Sequence, residues 1–488
     1  MTRAFSLDTP AATPGQILTG HNFREVAPEV LSPLSWSIIG RGMELGFRQI
    51  AASMGVRDRG VGPAYVGYLA FRPFHVATAI DRVVARMPLL APADVWRFVF
   101  GGEPPPGATA PVAPLRTRLR RLPSAAKLFP DNGALMRQVE TCVAAAEGAT
   151  ELGLRNGSPA TRGIAWERAV VAGRSAWSLH VRTSGLAILA CAVLRDVLSR
   201  AHDPDTVELL LRNALHRQTD SQLSGYPLGQ LRQEAHRHTS YEVADQTDEL
   251  ARWRPPEVEV GLLAGAVDGS AGRIGEQFPT TGWAAGLAHR WVRVVELTLA
   301  ERERSKAAGL RALHCLRLLL DVECFGLPAG AAAMLSGDEL VGLDRRERDA
   351  VIGGRRDELA EAGGDVPVDL RQWDDRWEPL RRHRNELGPD GGTATPLAPG
   401  WASGVLVRAE DAFTVDDPVL VGERVDAMDV LSIRPVAVVT RYGSVLSHLA
   451  IVCRELRIPL LADVGTPPDL LGRQVLCDGW SGRLEITP

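Results

Sequence analysis

The chain has 488 residues and a mass of 52.7 kDa, which at about 100–200 residues per domain predicts two to four domains and excludes a single small module. It is 45% hydrophobic and 23% charged with a formal charge of −4, so nothing in its overall balance favours nucleic acid or an anionic membrane as partner. Only two of its 55 basic residues are lysines, Lys127 and Lys306, which leaves little for a mechanism that puts several lysines on nucleotide phosphates.

The N-terminal run MTRAFSLDTPAATPG has no apolar segment behind a basic start, and no stretch reaches about 18 uninterrupted apolar residues. Cys142, Cys191, Cys315, Cys324, Cys453 and Cys477 are scattered without a CxxC pair. A soluble protein of the reduced cytoplasm is expected, with no metal site and no membrane span. Asn22–Ser37 (NFREVAPEVLSPLSWS) places Pro33 and small polar residues where a helix begins. Glu103–Pro114 (EPPPGATAPVAP) reads as a surface loop. Apolar spacings of three and four predict long helices over Trp177–Leu198 and Leu287–Leu320. Within the second, Arg302 and Lys306 stand four apart and share a face, where ordinary Glu/Arg and Glu/Lys pairing on a solvated surface is the competing explanation. His180, His289 and His314 fall on helical segments and read as core or surface residues.

Gly388–Gly400 (GPDGGTATPLAPG) then separates two regions of different character. Residues 1–387 are expected to form a mainly helical substrate or acceptor domain, of one or two lobes. Residues 388–400 form a linker that reaches roughly 40 Å when extended. Residues 401–488 form a small α/β domain, in which β-branched runs (GVLVRA, DPVLVG, PVAVVT, IPLLADV, QVLCDG) alternate with turns. The predicted fold class is therefore multidomain α+β.

The most informative stretch is Pro435–Val464. Val436–Val439 reads as a buried strand, Gly443–Ser447 as a turn, and Leu449–Leu456 as a helix with Ser447 as N-cap. His448 then sits at the start of a helix, where unpaired N–H groups and the helix dipole favour an anion by about 0.3–1 kcal/mol and disfavour imidazolium. An imidazole placed there can accept a phosphoryl group.

Thr440, Gly443, Ser447, His448, Ala450, Ile451, Arg454, Glu455, Ile458 and Pro459, followed by Gly472, Val475, Asp478, Gly479 and Gly482, stand in register with a known pattern. The segment resembles the phosphohistidine swivelling domain of phosphoenolpyruvate-utilising enzymes, the group containing pyruvate phosphate dikinase, phosphoenolpyruvate synthase and rifampicin phosphotransferase. The resemblance implies that His448 is the phosphorylated residue, with Thr440, Gly443, Ser444, Ser447 and Arg454 supporting the phosphate loop. The chain departs from the pattern at Ser444, Arg457 and Asp463, where glycine is usual, and at Cys453, where alanine is.

Asn22, Glu25, Val26, Pro28, Pro33, Leu34, Trp36 and Ser37 are similar to the opening of the substrate domain in rifampicin phosphotransferase-like proteins, with Glu29 where glycine is common. Glu301–Lys306 is similar to the basic helix that ends that domain, which implies that Arg302 and Lys306 hold the phosphoryl group in flight. Asp268–Trp283 keeps only Arg273 and Trp283 of the pattern's His-Arg-Gly and Pro-Arg-Trp segments.

An ATP-grasp domain, which in such enzymes would fill some 300 residues before Asn22, is not expected here, nor is a barrel domain after residue 488. Neither lysine follows a Gly-rich turn, so no P-loop is expected. No cofactor is expected to bind directly. ATP would act through a separate ATP-grasp partner that charges His448, and the phosphoryl group would pass to a small-molecule hydroxyl, with or without later loss of phosphate in a net dehydration. The alternative is a nucleotide-independent lyase, dehydratase or cyclase of natural-product biosynthesis, with His448 as acid or base.

Overall fold

The structure, a computed structural model, describes residues 14–26, 30–56, 64–100, 110–121, 132–156, 158–200, 283–320, 329–361, 366–373, 376–380, 391–423, 427–445, 447–465 and 470–486, together with isolated positions between them. Lys127, Cys324, Pro28, Glu29, residues 268–282 with Arg273, and residues 103 and 105–109 lie outside the described residues.

The first part of the chain is built on long helices. After α1 (His21–Val26), α2 (Pro33–Ser53) starts with Ser32 as N-cap and Pro33 at its first position; the Ser35 N–H donates to Ser32 Oγ at 3.2 Å. α3 (Ala77–Val84) follows, then α4 (Asn132–Asn156), α5 (Pro159–Leu198) and α6 (Trp283–Leu319). The predicted helices Trp177–Leu198 and Leu287–Leu320 fall on α5 and α6. These two pack along their length, with α4 and α2 against α5. At Gly309 of α6 an added Cβ would lie 2.9 Å from the Trp177 ring, so glycine permits the close approach of α6 to α5. Ser37 in α2 is structural: its Oγ accepts from the Gly337 N–H at 2.9 Å, and Trp166 Nε1 donates to Gly337 O at 2.8 Å. Arg174 of α5 donates to Ser37 O at 3.0 Å and to both oxygens of Asp338 at 3.0 and 2.7 Å. The capping and packing explanation of the Asn22–Ser37 run therefore accounts for Pro33 and Ser37.

This region also holds a sheet that the sequence did not predict. Strands β1 (Ile17–Thr19), β2 (Val66–Leu69), β3 (Arg72–Val76), β4 (Asp369–Trp373) and β5 (Arg376–Pro379) form an antiparallel sheet in the order β2-β3-β1-β4-β5. Its pairing of β1 with β4 joins the two ends of the first region. Between β4 and the long helices lies α7 (Arg345–Glu361). On β3, His75 is boxed by aromatic rings: Phe23 stacks on it at 4.4 Å, and Phe100 and Phe47 lie at 5.4 and 6.1 Å. On α3, buried Asp81 accepts from Trp96 Nε1 at 3.2 Å.

The second part is an eight-stranded sheet. After the pairing of β6 (Asn385–Glu386) with β13 (Val464–Gly465), its strands are β7 (Gly391–Thr393), β8 (Thr395–Ala398), β9 (Trp401–Val407), β10 (Pro418–Gly422), β11 (Ala437–Thr440), β12 (Leu460–Ala462), β14 (Gln474–Asp478) and β15 (Arg483–Ile486), ordered β7-β15-β14-β9-β10-β11-β12-β8. The strands β9 to β12 are parallel neighbours, and every β-branched run read from the sequence is here a strand. Two helices, α8 (Ala427–Ile433) and α9 (His448–Glu455), complete it. Both faces are covered: Leu420 and Val438 join the apolar cluster shared with the helices, whereas Val419, Val421, Ala437 and Val439 form a second cluster.

The linker expected at 388–400 is corrected by this sheet. Residues 391–393 pair with β15 and residues 395–398 pair with β12, both as edge strands, and edges are where Gly- and Pro-containing segments can sit in a ladder.

Arg457 and Asp463, at pattern glycines, have φ of 58° and 65°. Arg457 follows the end of α9 in a left-handed cap: the Ile458 N–H donates to Cys453 O at 2.8 Å and the Arg457 N–H to Arg454 O at 3.2 Å. Replacing Arg457→Gly should remove the Cβ strain and stabilise the protein by about 1 kcal/mol, seen as a rise in Tm of a few degrees.

Burial pushes the His75 imidazole down to about 3 and the Asp81 carboxyl up to about 7. The two act on stability with opposite signs. His75 contributes fully above pH 6.5, and its contribution is lost as pH falls toward 3; Asp81 contributes fully below pH 3.8, and its contribution is lost as pH rises toward 7. Between about pH 4 and 6.5 the slopes, each about 1.4 kcal/mol per pH unit, offset one another. Asp81→Asn removes one of them, so urea denaturation of this variant should show stability falling more steeply below pH 6.5 than in the wild type, by up to about 1.4 kcal/mol per unit.

Candidate active site

The site is assembled from the second sheet outward. β11 ends at buried Thr440, whose hydroxyl donates toward Tyr442 O at 3.2 Å and Glu423 O at 3.4 Å, tying the following loop to the end of the neighbouring strand. Arg441 pairs with Glu423 at the same place. Gly443 is packed closely: a Cβ there would lie 2.7 Å from Leu397 Cδ1 and 3.3 Å from Ala462 Cβ. Its small size thus serves the seating of the loop on β8 and β12, a role not foreseen from the sequence.

Ser447 is the N-cap of α9, as predicted. It has extended φ/ψ of −67° and 154°, and its Oγ accepts from the Ala450 N–H at 3.1 Å. His448 is the first residue of that helix. Ser444 is buried with its Oγ lacking a hydrogen-bond partner, while its carbonyl accepts from the Ser447 N–H at 3.0 Å. Arg454, one and a half turns along α9, is only 2% exposed and donates to Leu397 O at 3.0 Å and Val445 O at 2.8 Å. Its guanidinium braces the loop through backbone carbonyls.

This loop lies against the helical region. Tyr442 meets His21 of α1 edge-on, with ring centroids 5.2 Å apart, and α1 touches α9. One apolar cluster runs without a break from Leu18, Phe23 and Leu34 through Val193 and Leu313 to Val445, Leu449 and Ala450. Cys191 of α5, fully buried and pushed up to about 12 by that burial, feels the positive charges of both Arg454 and Arg302. The seam between α5 and α6 therefore approaches the α9 side of the second sheet.

At that seam Arg302 is mostly covered and donates to Glu303 Oε1 at 2.6 Å, while Lys306 is half-buried one turn on. Between them Ser305, fully buried, sits 3.1 Å from His180 Nδ1 and 2.7 Å from Thr183 Oγ1. His180 is held down to about 3, chiefly by burial and then by the charges of Arg302 and Lys306. Sequence reasoning read His180 as core or surface and did not connect it with the basic pair. The signal was present only in combination, since His180 and Thr183 share one face of α5 and Ser305 shares one with Arg302, but the register of α5 against α6 is needed to bring them together. His21, adjacent to the Asn22 run, was likewise missed. His289 is exposed and His314 half-buried. No group of three or more His, Cys, Asp or Glu is placed to hold a metal among the described residues, and no described helix is long and apolar enough to cross a membrane.

The sheet thus has a parallel centre, β9 to β12, followed by a capped loop and a histidine that opens the next helix. Residues 415–482 match the family model of the PEP-utilising enzyme, mobile domain. That match points to phosphoryl transfer through a phosphohistidine in a phosphotransferase-type enzyme. No curated protein matches the chain.

The His21–Tyr442 contact is a test of how the loop is docked. An edge-to-face pair contributes about 0.5–1.5 kcal/mol beyond its buried area. In Tyr442→Ala, amide exchange should quicken up to about tenfold across 443–453 and in α1. Exchange in α5 and α6 should not change.

Proposed function

We propose that the protein transfers a phosphoryl group from His448 to a hydroxyl of a small molecule bound beside Arg302 and Lys306, after a separate ATP-grasp protein has charged the histidine. The observation that carries this reading is the match at 415–482 together with the Ser447-capped helix that opens at His448. A helix start favours the phosphorylated state, because its N–H groups and dipole receive an anion. The buried Ser444 hydroxyl without a partner supports the reading further. Such a group costs about 1–3 kcal/mol, and a phosphoryl oxygen would give it an acceptor.

On this reading Arg302 and Lys306 neutralise charge that builds on the phosphoryl oxygens as the N–P bond breaks and the O–P bond forms. On this reading the carrier domain turns about its attachment to bring the group from one station to the other. The proximity of the two stations supplies the main advantage, since oriented groups reach effective molarities of about 10⁵–10⁸ M.

Incubation with an ATP-grasp partner and labelled ATP should give acid-labile phosphate on the wild type and none on His448→Ala. Arg302→Gln should still accept the label but pass it on about 10²–10³-fold more slowly. Turnover of a substrate by His448→Ala, with neither nucleotide nor partner, would sink the proposal in favour of a lyase or cyclase.

A further inference from the structure

The hydrogen-bond network at the α5–α6 seam has a proton count that fixes the state of His180. Ser305 Oγ lies 2.7 Å from Arg302 O, 2.7 Å from Thr183 Oγ1 and 3.1 Å from His180 Nδ1, and Thr183 Oγ1 lies 2.9 Å from His180 O. Four contacts thus need protons, and the two carbonyls can only accept. With the ring proton on Nε2, only the two hydroxyl protons are available. With it on Nδ1, three are available, and Nδ1–H donates to Ser305 Oγ. The better-satisfied arrangement leaves the Nε2 lone pair outside the network, on a ring set edge-on to Trp177 at 5.5 Å.

We infer that His180 is a catalytic residue of the transfer proposed above, in which Nε2 takes the proton of the acceptor hydroxyl as that oxygen attacks phospho-His448. The inference rests on that reading of the site. In the step, the O–H electron pair becomes the attacking pair and an O–P bond forms. The N–P pair returns to the His448 ring, and the proton resides on His180 Nε2 until solvent removes it.

The charged groups that face His180 are Arg302, Glu303 and Lys306, all from α6. The helices on its other sides bring uncharged partners to neighbouring turns, Gln49 of α2 to Ser178 and Gln138 of α4 to Arg182. Burial and the two cations keep the ring neutral in the empty site, with Glu303 opposing them. A phosphoryl dianion placed on Arg302 and Lys306 cancels their charge, so the ring gains basicity when its proton acceptance is required.

Two measurements test this. In ¹⁵N-labelled protein with His180→Gln for assignment, His180 should show the Nδ1–H tautomer, and inorganic phosphate should raise its apparent pKa in the wild type but not in Arg302→Gln. An Nε2–H tautomer, or no response to phosphate, overturns the inference. Second, His448 is loaded chemically with phosphoramidate, and its discharge to water and to glycerol is followed at pH 6 to 9. His180→Gln should load like the wild type but discharge at least about tenfold more slowly, with the rate's dependence on pH flattened. Normal loading with wild-type discharge removes His180 from the mechanism and leaves the phosphotransfer reading standing. No acid-labile phosphate on His448 in the wild type removes both.

Discussion

The carrier half of the molecule depends on one buried cation. Arg454 has almost no contact with solvent, and an ion taken out of water costs several kcal/mol unless its donors are met. Here donors are met by Leu397 O on an edge strand and Val445 O in the loop before His448. The guanidinium therefore cannot relax without giving up bonds to both. It makes the edge strand, the loop and the helix a single unit, and the N-cap at Ser447 keeps its geometry because Val445 is held two residues earlier. The sequence pattern expected Arg454 to support a phosphate loop; what the pattern did not carry is that Arg454 donates to the main-chain oxygens of Leu397 and Val445.

The α5–α6 seam is arranged by the opposite means. At the α5–α6 seam a neutral imidazole is kept beside two cations, and the hydroxyls of Ser305 and Thr183 fix its orientation. Burial does the larger part of this, and Arg302 and Lys306 add to it. Arg302 is itself paired with Glu303, so the seam holds its charge within a network. The second sheet contributes a helix start at His448, whose N–H groups and dipole favour an anion.

Much of this was legible in the sequence, for physical reasons that differ from segment to segment. The strands β10 to β12 are buried on both faces and so read as unbroken apolar runs, and the α5 and α6 helices show their apolar spacing over many turns. Ser447 was legible because a capping side chain acts within three residues. The antiparallel sheet of the first region was not, because β4 and β5 (DLRQW and RWEP) carry charges in place of a clean alternation, and β4 pairs with β1 at the far end of the region, as Thr19 with Asp369. The strands at 391–398 were mistaken for a tether because glycine and proline mark loops and sheet edges alike. The His180–Ser305 contact joins residues 125 positions apart, and nothing local in either helix announces it.

The pairing of β7 with β15 has a practical consequence. Glu485 lies opposite Gly391, so the last strand of the small domain runs beside the strand by which the domain enters. Neighbouring strands are only about 4.8 Å apart. A fluorophore or fused protein attached at the end of β15 would therefore sit beside β7, where it would report little of any rotation of the domain. Dyes for single-molecule work on this protein belong away from that end.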